Sequence, residues 1–234
     1  MARRTKEEAL ATRERLLDAA QTRFREHGVT RTSLAEVATE AGMTRGAVYW
    51  HFKDKADLFR AMCDRATLPL DATFDRAVRT ASADPLGTLR ALSIAALQQL
   101  ATDARAQNVF EIVFHKCELV DELAGLATSH KQERTACLGQ IEDMLGQASR
   151  AGQLPADLDA GLATQALHAY MVGIMHEWVL DPGAYDLAAA APGFIDLFIG
   201  GLAARPPRLH ASKESVRSHT SSGPRARELE QGTS

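Results

Sequence analysis

Cysteine, long apolar runs, strand-type alternation and catalytic signatures are all scarce in this chain. The three cysteines, Cys63, Cys117 and Cys137, are odd in number, far apart and in none of the paired spacings of zinc sites or disulfide frameworks, so reduced thiols in helices are expected. No apolar stretch approaches the roughly 20 residues that span a bilayer, and MARRTKEEAL at the amino terminus has no hydrophobic segment after its charges. The expectation is a cytoplasmic protein without a membrane partner. There is no phosphate-binding glycine loop, no nucleophile motif and no metal-spaced His/Asp/Glu set, and the eight histidines are scattered. Neither an enzyme nor a bound cofactor or metal is expected.

What is present is the composition of a soluble globular protein, 45% apolar and 24% charged, with 234 residues for one domain or a small domain fused to a larger one. The net charge of −3 hides an asymmetry. Residues 1–66 hold 13 Lys+Arg against 10 Asp+Glu, residues 67–204 hold 8 against 17, and residues 205–234 hold 6 against 3. A basic front and an acidic body suggest two tasks, the first of them facing a polyanion.

Helical periodicity dominates. Leu10, Leu17, Ala20 and Phe24 make the stripe of an amphipathic helix that ends near His27-Gly28. Ser33-Leu34-Ala35-Glu36 is a capping box, and Leu34, Val37, Ala38 and Ala41 form the buried stripe of a second helix. Gly42 supplies the backbone freedom for a tight break, Met43 plugs the corner, and Thr44 caps a third helix on which Val48 and Phe52 share the inward side. Asp54, with Asp57 three residues on, caps a fourth whose apolar face begins with Leu58, Phe59 and Met62.

The third helix lies in TRGAVYWHFKDK, residues 44–55. Tyr49 and Trp50 suit either a core or a face meant for a partner. Val48 and Phe52 already take the inward positions, and the helix is too short to bury both sides. Two short helices joined by a glycine-containing turn and braced by a longer one make a helix-turn-helix unit, whose second helix enters the DNA major groove. Small Gly46 and Ala47 let the backbone approach base edges, and Arg45 can donate two hydrogen bonds to a guanine. Trp50 can pack on a sugar or a thymine methyl, while Tyr49, His51, Lys53 and Lys55 reach phosphates. Thr32, Ser33 and Thr44 complete the expected DNA-binding set.

Residues 8–60 resemble the DNA-binding domain of the TetR family of bacterial transcriptional regulators. The residues that carry the resemblance are Gly28, Thr32-Ser33-Leu34, Ala38, Ala41-Gly42-Met43-Thr44, Gly46, Tyr49, His51-Phe52-Lys53, Lys55 and Leu58. ARRTKEEA near the start, EIVFHKCE at 111–118, GQLPADLDA at 152–160 and the WVLDP and YDL segments between 178 and 187 extend it to about residue 204. These resemble the AcrR and TtgR type, the branch that represses multidrug efflux pumps. The resemblance implies an all-α homodimer with a three-helix DNA-binding domain over residues 1–54 and a helical ligand-binding and dimerisation domain over 55–204. It also implies a repressor, released from a pseudo-palindromic operator in double-stranded DNA when a drug-like effector binds. The alternative is a TetR-type regulator of a metabolic operon that answers to a specific metabolite.

Pro85, Asp103, Pro155, Asp159 and Pro182-Gly183 act as stops and caps that divide the second segment into helices near 85–101, 104–116, 121–151, 159–180 and 187–204. Phe110 and Phe114 share a face, as do Cys137, Ile141 and Met144, and His168, Met171, Val172 and Met175; each set also suits a plain core. The resemblance implies an effector pocket lined by Leu89, Leu92, Ser93, Phe110, Glu111, Phe114, Cys137, Ile141, His168, Met171, Val172 and Met175. Such a pocket is hydrophobic and takes cationic or aromatic compounds, with methionine adapting to varied shapes and Glu111 complementing a cation. Phe110, Phe114 and Val172 stand where that branch tends to carry polar side chains, so a more apolar pocket is expected. Trp178, Phe194, Leu197, Phe198, Gly201 and Leu202 are expected to form a dimer seam that sets two recognition helices about 34–36 Å apart. After Ala204 the composition changes to PP, SS and SGPRAR, and residues 205–234 read as a disordered tail.

Overall fold

The computed structural model describes residues 2–66, 84–117 and 124–208, with the backbone alone for 2–5 and 124–133. The described residues are helical: α1 (Ala2–His27), α2 (Leu34–Glu40), α3 (Arg45–His51), α4 (residues 55–66), α5 (Pro85–Thr102), α6 (Ala104–His115), α7 (Ala124–Arg150), α8 (Ala160–Leu180) and α9 (Leu187–Ala204). Extended pairing among them is limited to an isolated bridge between Leu158 and Arg208. The all-α expectation holds. Asp103 and Asp159 cap helices as expected, and Asp84 and Asp186, not singled out in the sequence, cap two more; each accepts a backbone N–H from the first turn of the helix that follows. Residues 121–123 and the tail beyond 208 lie outside the described residues.

The first core joins α1 through Leu16, Leu17, Ala20 and Phe24 to Leu34, Val37 and Ala38 of α2, Val48 and Phe52 at α3, and Leu58, Phe59 and Met62 of α4. It also takes in Val109 and Ile112 of α6, so a division after residue 54 passes through a shared core. Leu10, expected in the α1 stripe, is 56% exposed. It lies toward the start of α1, where the helix outruns its partners, and Leu16 takes its place in the core.

The break between α2 and α3 is a hydrogen-bonded corner. Met43 N–H donates to Ala38 C=O at 2.8 Å and Gly42 N–H to Thr39 C=O at 3.0 Å, with Gly42 at φ +64°. This closing pattern needs a left-handed residue that glycine alone adopts without strain. Arg15 of α1 fixes the same corner from outside through Nη2 to Ala41 C=O at 2.9 Å.

In the second half α5 packs on α7 and α9, α7 packs on α8, and α6 sits between α1 and α8. One core holds Leu89, Leu92, Met144, Leu145 and Leu167, and another holds Leu97, Leu100, Trp178, Leu187 and Ile195. Trp178 and Leu202, expected at a dimer seam, are buried within the chain. α8 and α9 are apolar on nearly all sides, so pattern alone misassigns their faces. Leu197 of the expected seam is 70% exposed.

α9 corrects the expectation that no apolar stretch approaches membrane length, since its 18 residues have a mean hydropathy of 1.7. It is nonetheless stitched to α5 by Arg90 and Asp196, which meet through two hydrogen bonds, one of 2.8 Å. The start of the expected tail is also tied down: Asp159 N–H donates to Pro207 C=O at 2.8 Å, and Arg208 pairs with Asp157 at 3.0 Å.

Candidate nucleic-acid interface

α3 has one face in the core and one bare. Val48 and Phe52 are 0% and 2% exposed, whereas Trp50 is 72% and Tyr49 48% exposed. Thr44 caps the helix by accepting from Ala47 N–H at 3.3 Å. Arg45 and Gly46 follow on the outer surface and Ala47 is half-buried. A Cβ at Gly46 would meet nothing closer than Thr44 Oγ1 at 3.9 Å, so the fold itself does not require the missing side chain. The guanidinium of Arg45 is held to Tyr49, whose hydroxyl accepts from it and raises its affinity for the proton. A groove of about 640 Å³ runs between these two residues, the start of α2 and the α3–α4 corner, where Lys53 is exposed.

Several residues of the expected DNA-binding set also serve the fold itself. Thr32 is buried, its hydroxyl donating to Gly28 C=O at 2.8 Å, and that bond supports the α1–α2 turn. Lys55 donates to Thr30 C=O at 3.1 Å and ties α4 to the same turn. Burial, with Arg13 nearby, pushes the His51 imidazole below its ordinary value, so it offers a neutral ring, edge-on to Trp50, rather than a cation. Ser33 is exposed at the start of α2, with its hydroxyl and N–H both engaged by Glu36 at 2.8 and 2.7 Å. Those bonds from Ser33 hold the Glu36 carboxyl below the usual carboxylate range.

The residues expected to meet an effector divide between the two cores of the second half. Leu89, Leu92, Ile141 and Met171 belong to one, and Phe110, Met171 and Met175 to the other, so Met171 bridges them. Ser93 is buried and donates to Leu89 C=O at 2.9 Å; His168 and Val172 are half-buried on α8. Cys137 is exposed, and its neighbour Leu138 is the buried residue. Glu111 faces away from the expected pocket, accepting from Arg25 Nε of α1 at 2.7 Å. Spacing along α6 cannot reveal that partner. His176 was not among the expected residues, yet its ring lies 5.4 Å from Phe114.

Two family models fit the chain: "Bacterial regulatory proteins, tetR family" over residues 16–62, and "MAATS-type transcriptional repressor, C-terminal region" over residues 84–203. The chain belongs to the TetR family. Among TetR-family sequences, the HTH-type transcriptional regulator TtgR of Pseudomonas putida is 40% identical over 200 residues, covering 84% of this chain and 93% of that protein. Among solved structures, NalD, the secondary repressor of the MexAB-OprM multidrug efflux pump in Pseudomonas aeruginosa, has a TM-score of 0.76 at 31% identity, covering 83% of this chain and 97% of its own. The SmeT–triclosan complex has a TM-score of 0.69 at 33% identity, covering 82% and 91%.

In this TetR-family chain α6 reaches both halves. Besides the Arg25–Glu111 pair, Val29 N–H at the α1–α2 turn donates to Lys116 C=O just past the end of α6, at 3.1 Å. Arg65 of α4 is fixed to α1 by Asp18 at 2.7 Å and Glu14 at 3.1 Å.

Proposed function

We propose that the chain represses a multidrug efflux operon by binding a pseudo-palindromic operator as a homodimer, and releases it when a drug-like compound enters the second domain. The observation that carries the DNA half is the bare ring of Trp50 beside Tyr49, on a helix whose opposite face is already buried. Large exposed rings next to Arg45 and Lys53 suit sugars, thymine methyls and phosphates.

Support for the homodimer comes from α8 and α9. Leu162, Leu180 and Leu197 are exposed, and a Cβ at Gly193, Gly200 or Gly201 would meet open space. Small and apolar residues on bare helix faces suit close two-fold packing, which pairs two α3 helices with two half-sites. Release requires that the effector bind the two arrangements of the dimer unequally. α6 is suited to pass that difference on, because Phe110 and Phe114 face α8 while Glu111 and Lys116 hold the DNA-binding half. The efflux assignment follows the similarity to NalD, a repressor of a multidrug efflux pump, and a chromosomal target implies the cytoplasm.

Footprinting on the DNA upstream of the chain's own gene tests this reading. Protection of one inverted repeat is expected; no specific protection there would overturn the reading.

A further inference from the structure

A cleft of about 590 Å³ lies between α1 and the face of α6 that carries Arg105, Asn108 and Glu111. It is lined by polar and charged side chains alone, unlike the apolar cores of the second half. Each lining carboxylate already faces an arginine: Asp18 meets Arg65 at 2.7 Å, Glu111 meets Arg25 at 2.7 Å, and Glu26 meets Arg23 at 3.5 Å. Among the described residues, Arg105 is the one lining charge without a counter-ion, and the Asn108 amide one turn on has no hydrogen-bond partner. Gln21 of α1 is 7% exposed, and its Oε1 accepts from Arg65 Nη2 at 3.1 Å, which leaves its amide N–H groups unclaimed among those residues at the cleft wall. A buried amide with a free donor costs stability until something accepts from it.

We propose that this cleft binds a small polar monocarboxylate that carries a second acceptor, an amide or keto carbonyl, a few bonds from the acid. The carboxylate takes the fork of Arg105 and the amide of Asn108, and Gln21 donates to the second acceptor. A cation would have to draw a carboxylate away from its arginine, whereas an acceptor meets three side chains with donors free. The three lining carboxylates repel a doubly charged phosphate more than a singly charged acid. An apolar compound would strip water from these polar groups and gain no apolar contact in return, so the cleft is a site apart from any for a drug-like effector. Because α1 belongs to the DNA-binding half and α6 to the second, an acid held from both sides braces the two halves in this arrangement.

The test is calorimetric titration of the full chain with N-acetylglycine and with its neutral amide, N-acetylglycinamide, which keeps the shape and loses the charge. Saturable millimolar binding of the acid is expected, about tenfold tighter than that of the amide. Arg105→Gln and Asn108→Ala should each weaken the acid toward the amide, with a wild-type helical spectrum and melting temperature as proof of folding. Arg45→Ala, which removes an exposed arginine from α3, should bind the acid as wild type does. Equal affinities for acid and amide, binding of the acid that survives in Arg105→Gln, or no saturation by either compound overturn the inference. So does inorganic phosphate that binds tighter than the acid and is lost in Arg45→Ala, since the anion then sits on α3. Operator affinity measured on the same preparations tests the repressor proposal separately, and failure of either leaves the other standing.

Discussion

The guanidinium of Arg45 lies 5.4 Å from the ring centroid of Tyr49, and its Nη2 donates to the Tyr49 hydroxyl at 3.2 Å. Four residues apart on α3, the two side chains are neighbours on its outward face. The contact holds a long, otherwise mobile cation in one place, which on the proposed DNA-binding reading reduces the ordering cost of binding. Arg45→Ala should therefore weaken operator binding by about 1–3 kcal/mol, concentrated at one base pair in each half-site. Tyr49→Phe, which keeps the ring and removes the acceptor, should show a smaller loss at the same base pair. Fluorescence anisotropy on single-base operator variants checks both, and wild-type affinity in Arg45→Ala would exclude it as a base reader.

Gly46 separates folding from binding. Alanine fits the fold there and improves helix propensity by roughly 0.5–1 kcal/mol, yet on the proposed DNA-binding reading it fills the space through which the backbone would approach DNA. Gly46→Ala should melt higher and bind the operator more weakly. A variant that loses stability, or that binds as tightly as wild type, contradicts the assigned role.

Lys53 and Lys55 are two residues apart and should behave differently. Lys53→Ala should lower the dependence of log affinity on log salt by about one per protomer, as expected for a lost phosphate contact. Lys55→Ala removes the bond to Thr30 C=O and should instead lower the melting temperature. Equal salt slopes in the two variants would show that the difference in their surroundings has no bearing on DNA.

Much of the architecture was legible because its signals are local. The Ser33–Glu36 box, the Gly42 corner and the inward pair Val48 and Phe52 each depend on neighbours within a few residues. What escaped depends on distant partners or on helices without a clear polar side. Thr32 looks like a helix start, but its hydroxyl serves a carbonyl that the turn at Gly28 brings close. Glu111 looks like a pocket residue until α1 sets Arg25 against it. No spacing rule joins His115 to His176, which meet only because α6 packs on α8.

His51 gives stability a dependence on pH. Burial, then Arg13, holds the folded imidazole below its ordinary 6.5, so under mildly acidic conditions the unfolded chain binds more protons than the folded one. Stability from this group is complete above that ordinary value and is lost as pH falls toward the folded one. The drop in melting temperature between pH 7.5 and pH 5.5, about a unit to either side, should be smaller in His51→Gln than in wild type. An unchanged drop would assign the dependence to other groups.

Leu197 is the exposed apolar residue at the centre of the small-residue face of α9. In the proposed dimer Leu197→Glu would place a charge against its own symmetry mate, so the variant should sediment as a monomer and lose most operator affinity while keeping its helical spectrum. A dimer that survives the substitution would move the interface elsewhere.

The most direct test of a ligand-released repressor is anisotropy of a labelled duplex from upstream of the chain's own gene, titrated with protein and then with triclosan, cationic dyes and planar antimicrobials. Tight, sequence-specific binding by wild type, weaker binding by Arg45→Ala, and release of the DNA by at least one aromatic compound are expected. Binding no tighter than to shuffled DNA, or a specific complex that none of these compounds disturbs, would contradict this reading.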